Sequence, residues 1–86
     1  MPEISRFLGI IIRMFYDDHN PPHIHAEYSG NKALLDFYGN IIRGSLESRT
    51  ALRLTREWIE MRRKELNADW ERARSGEKLE KIDPLP

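Results

Sequence analysis

Turn-forming residues cut the first 44 positions into runs too short for helices. Gly9 divides Ile4 to Leu8 from Ile10 to Tyr16, both dominated by aromatic and β-branched side chains that suit a pleated, half-buried surface. Asp17 to Pro22 contains Asp-Asp and Asn-Pro-Pro, residues that form Asx turns and fix φ, so a stiffened loop is expected there. Strands from His23 to Tyr28, Lys32 to Tyr38 and Ile41 to Arg43 follow, separated by Ser29-Gly30-Asn31 and Gly39-Asn40. Connections that tight join neighbouring antiparallel strands, and the pattern predicts a meander of four or five of them.

Side chains alternate faces along a strand, so a slip of one residue would exchange the two surfaces of such a sheet. One parity sorts the residues. Ile10, Ile12, Met14, Tyr16, Ile24, Ala26, Tyr28, Ala33, Leu35, Phe37 and Ile42 share a face, which is the expected core. Arg13, Asp17, His23, His25, Glu27, Lys32, Asp36 and Arg43 share the other with Ile11, Phe15 and Leu34. On that second face Arg13 comes near Glu27, Glu27 near Lys32 and Asp36 near Arg43, pairings that stabilise a sheet modestly.

From Ser48, read as the N-cap, to about Ala73 the pattern changes to a helix, with Gly76 close to its stop. Ala51, Leu52, Leu54, Trp58, Ile59, Met61, Leu66 and Trp70 form one broad stripe at the helical period, and this stripe is expected to cover the apolar sheet face. Arg62, Glu65, Asp69 and Arg72 intrude on its later part, which calls for a bend near Asn67, partial exposure or a second contact surface. The expected fold is therefore a single α+β domain over residues 1–76, an antiparallel meander packed on one face by a long C-terminal helix. Residues 77–86 read as an extended tail, with Leu79, Ile82 and Leu85 available to pin it.

Fourteen basic and fourteen acidic side chains cancel, so net charge does not point to nucleic acid or an anionic membrane. The absence of cysteine fits a reducing cytoplasm. The one N-terminal apolar run, Phe7 to Tyr16, is interrupted by Arg13 and lacks a small-residue cleavage site, so neither a signal peptide nor a membrane span is expected. Basic residues of the helix, Arg53, Arg56, Arg62, Arg63 and Lys64, lie among Glu57, Glu60 and Glu65 at spacings that form ordinary salt pairs, so DNA reading by this helix is not expected.

All three histidines fall between Asp17 and Tyr28. His23 and His25 lie two apart on one strand and so project from one face, an arrangement that can chelate zinc if Asp17, Asp18 or His19 completes the set. The same pair suits metal-independent RNA cleavage, because imidazole exists in both protonation forms near neutral pH. In that scheme His23 and His25 are acid and base, Asp36 orients one of them, and Arg13, Lys32 or Arg43 holds the phosphate. A third reading takes the face as a docking surface, since Ile11, Phe15 and Leu34 are rimmed by charge there. No organic cofactor is expected.

Four stretches carry a resemblance to a known family: Pro2 to Ile10, Asp18-His19-Asn20-Pro21-Pro22-His23-Ile24-His25-Ala26, Ala51-Leu52-Arg53-Leu54 with Trp58, and Leu79-x-Lys81-Ile82-x-Pro84-Leu85. In these the chain resembles the bacterial family known as domain of unknown function 4160. The resemblance implies a gene context similar to that of toxin–antitoxin pairs, often beside a second small family, domain of unknown function 2442. It supplies no catalytic residue. The reading that follows is a cytoplasmic toxin–antitoxin-type protein, in one form an RNase-like toxin, whose histidine face engages RNA or a small partner protein encoded nearby. The alternatives are a non-catalytic interaction module and a small metal-dependent hydrolase; self-association is compatible with each.

Overall fold

The computed structural model describes residues 2–86. Five strands form one antiparallel sheet in the order of the chain: β1 (Glu3–Phe7), β2 (Ile10–Arg13), β3 (His23–Tyr28), β4 (Asn31–Asp36) and β5 (Ile41–Gly44). A single helix, α1 (Arg49–Arg74), follows. The expected meander and its covering helix are therefore present. Left-handed backbone at Gly30 and Gly39 occurs at two of the turns where the sequence placed glycine, a conformation that costs other residues a Cβ clash.

The predicted parity holds across the central strands. Ile10, Ile12, Met14, Ile24, Ala26, Ala33, Leu35 and Phe37 are buried, together with Ala51, Trp58, Ile59, Leu66 and Trp70 of the helix. Phe7 and Trp58 stack with ring centroids 5.5 Å apart, joining β1 to the middle of α1. Register places Arg13 opposite His25, His25 opposite Leu34 and Leu34 opposite Arg43, so these four form one row across the uncovered face.

Three core assignments fail. Ile42 is 44% exposed because a bulge between Leu34 and Leu35 sets Ile41, not Ile42, against Leu35; Leu46, just beyond β5, is buried in the core. Tyr16 lies beyond the end of β2 and is exposed, and Met61 is exposed on the outer side of α1. The helix departs from α geometry at Arg62 (φ −110°, ψ 17°) instead of bending at Asn67.

Its polar intruders do serve a second contact surface, the last ten residues. Asp69, fully buried, accepts hydrogen bonds from the Glu80 backbone N–H at 2.9 Å and from Arg72 at 2.7 Å. Trp58 Nε1 and Arg62 Nε both donate to the Asp83 carbonyl, and the Ile82 N–H donates to the Ile4 carbonyl at 2.7 Å. Ile82 is buried in the same core. Among the described residues no helix is long and apolar enough to cross a membrane.

Candidate metal centre

β2 and β3 are adjacent, so the loop between them must leave Arg13 and return beside it. That closure carries Asp17 to His19 back over the start of β3. Asp18 is the residue that arrives: one of its carboxylate oxygens, Oδ2, lies 3.0 Å from His25 Nε2 and 3.2 Å from His23 Nε2. One atom from each of these three residues falls within 4.8 Å of the others. The loop includes a cis peptide bond between Asn20 and Pro21.

The imidazole rings are held from outside the cluster. His23 Nδ1 lies 2.8 Å from the Pro21 carbonyl oxygen, and a carbonyl oxygen only accepts, so Nδ1 carries the proton. In a neutral ring Nε2 is then a bare lone pair, aimed at the oxygen of Asp18. Lone pair faces lone pair across 3.2 Å, and a cation between them is what resolves the conflict. A proton on Nε2 makes this an ordinary His–Asp ion pair, with His25 Nε2–H donating to the same oxygen; a metal ion shared by all three side chains is the other way to satisfy them. An imidazole whose far nitrogen donates to a backbone carbonyl is the usual support of a metal-bound histidine. The three side chains each bring a donor atom within 4.8 Å of the others, close enough for one ion to be shared after small adjustments.

His25 is held differently. Phe15 meets it edge-on, with ring centroids 4.2 Å apart, and the His23 and His25 rings are 5.2 Å apart. His23 is only 6% exposed, with the Trp70 ring 5.5 Å away; it was expected on the open face, and the C-terminal part of α1 buries it. His25 and Asp18 remain partly accessible.

The other expected site residues separate into those that share the face and one that does not join. Arg13, opposite His25, forms an ion pair with Glu27 at 2.6 Å. Lys32 stands opposite Glu27, and Arg43 lies in the row of His25 two strands away. Asp36 is the correction. Although it is opposite His23 in register, its carboxylate turns into the β4–β5 connection, where Oδ1 accepts from the N–H groups of Tyr38 and Asn40 and Oδ2 from the Asn40 side chain. Burial raises its pKa, but these hydrogen bonds outweigh it and hold the carboxyl below its ordinary value. It does not orient an imidazole; Asp18 does. The clue in the sequence was the closure itself, because a loop whose ends pair at Arg13 and His25 brings its middle back to the strand.

Fold and site together define a small α+β domain with a two-histidine, one-carboxylate cluster at the edge of an uncovered sheet face. The chain belongs to the family described as domain of unknown function (DUF4160), whose model matches residues 9–71 and so includes all three cluster residues. No curated protein and no solved structure matches the chain.

Proposed function

We propose that this protein is a metal-dependent hydrolase centred on Asp18, His23 and His25. The observation that carries this reading is the His23 ring, whose Nδ1–H is committed to Pro21 while its Nε2 lies 3.2 Å from the Asp18 oxygen that also meets His25. Three protein ligands leave a coordination position for water or substrate, the arrangement of catalytic and not structural zinc sites. A bound ion of this kind generates hydroxide near neutral pH and polarises a phosphoryl or carbonyl oxygen. Arg13, Lys32 and Arg43 share the face and suit an anionic phosphodiester.

Metal-free acid/base cleavage by the two histidines is less well served. Such a mechanism needs the imidazoles on opposite sides of a phosphate, whereas both Nε2 atoms here converge on one carboxylate oxygen.

The test is metal analysis of protein purified without an affinity tag, followed by zinc titration. We expect roughly one zinc per chain, with zinc at about 100 times its Kd adding about 2.7 kcal/mol of stability. His25→Ala and Asp18→Ala should lose both effects and the hydrolysis of bis(p-nitrophenyl) phosphate. A wild-type chain that neither binds nor is stabilised by zinc, manganese or ferrous iron would sink the reading.

A second reading has its own observation. The sheet face opposite α1 is uncovered, with Ile11 and Leu34 half-buried on it, and edge strand β5 exposes Ile41 and Ile42. An exposed apolar edge strand invites pairing with another chain. We infer that a toxin–antitoxin-type partner docks there. Co-purification with the product of the adjacent gene should succeed with wild type and fail with Ile42→Lys; equal recovery of both counts against it.

A further inference from the structure

Beside the metal centre lies a shallow cavity of about 250 Å³, lined by Pro21, Pro22, Asp36, Phe37, Tyr38 and Asn67. We propose that it receives a nucleobase, which makes the substrate of the centre a nucleotide or RNA strand; the inference rests on the hydrolase reading for its chemistry, though not for the pocket. Whole drug-sized ligands need about 300 Å³ or more, so this volume suits one planar ring system.

The lining has the two parts that base recognition uses. Tyr38 is 75% exposed, yet it is not loose: the Arg63 guanidinium lies 4.6 Å from its ring centroid, and Arg63 Nε is itself fixed to the Phe37 carbonyl at 2.7 Å. A cation on one face of an exposed, anchored ring leaves the other available for stacking, the sequence-tolerant interaction by which single-stranded nucleic acid is held. Asn67 lines the cavity and is exposed. An amide offers a donor beside an acceptor, the complement of a base edge. Asp36 does not compete, because both of its oxygens are engaged in the turn.

Position ties the cavity to the centre. Pro21 is a wall of one and, through its carbonyl, the support of His23 in the other. A base in the cavity would therefore rest against the residue that holds His23, so its binding should be felt at that ring.

The experiment is amide chemical-shift titration of the full chain, with and without zinc, using uridine 5′-monophosphate, adenosine 5′-monophosphate and ribose 5-phosphate. Both nucleotides should shift Tyr38, Asn67 and His23, while ribose 5-phosphate leaves Tyr38 and Asn67 in place. Tyr38→Ala and Asn67→Ala should each weaken nucleotide binding at least about 5-fold, and Tyr38→Phe should bind as wild type because stacking survives. The same spectra show that each variant is folded. Equal shifts from ribose 5-phosphate would reduce the site to an anion contact at Arg63 and overturn the proposal, as would no shift from either nucleotide. Zinc content of the same samples is read separately: nucleotide binding through Tyr38 without zinc binding supports the cavity and overturns the metal centre, and zinc binding without pocket shifts does the reverse.

Discussion

Asp36 shows how one residue can satisfy a pattern and serve another purpose. Its place opposite His23 suggested an orienting carboxylate, but the backbone N–H groups of Tyr38 and Asn40 are closer partners in sequence, and short polar side chains at turns bond locally before they bond across a sheet. This has a pH signature. The folded carboxyl is held below its ordinary 3.8, so its contribution is fully present above that value and is lost as pH falls through the lower folded value. Asp36→Asn should cost about 1 kcal/mol at neutral pH, discounted for solvent screening, and the difference from wild type should vanish at strongly acidic pH. Urea unfolding at the two pH values measures it; a pH-independent difference would assign the loss to shape instead of charge.

At the scale of the elements, β5 departs most from its expected form. Its bulge rotates Ile42 out of the core and brings Gly44 against β4, where an added Cβ would overlap the Lys32 carbonyl oxygen and come within 3.2 Å of Ala33 Cα. Gly30 has a similar left-handed φ (82° against 80°), but nothing lies within 4 Å of its missing Cβ. Both alanine variants share a conformational cost of about 1–2 kcal/mol. Gly44→Ala should lose about 1–3 kcal/mol more from overpacking, seen as a lower urea midpoint than that of Gly30→Ala. Equal midpoints would mean that β5 can move away from β4.

At the scale of the molecule, the last ten residues connect both ends of the chain. The Ile82 N–H binds the Ile4 carbonyl on edge strand β1, its side chain enters the core, and Asp83 accepts from Trp58 and Arg62. Ile82→Ala should therefore cost about 2–4 kcal/mol, and by thermal melting β1, the helix and the tail should unfold in one transition. A two-step melt would show the tail to be independent. The intrusion of Asp69 into the apolar stripe announced a second contact surface, and the Glu80 N–H that Asp69 accepts is part of it.

Alternation of apolar and polar residues, with glycine at the turns, was sufficient by itself to specify the meander, its register through β2 to β4 and the helix that covers it, because these depend on neighbours in the chain and on a period of two or 3.6. It also placed His23 and His25 side by side, for the same reason. Which carboxylate joins them, which ring is buried and where Ile42 points were decided by tertiary structure. Loop closure selects Asp18 over Asp36, Trp70 from the end of α1 packs beside His23, and a single extra residue in β5 turns Ile42 out of the core while Arg43 keeps its place in the row of His25; each depends on segments distant in sequence meeting in space.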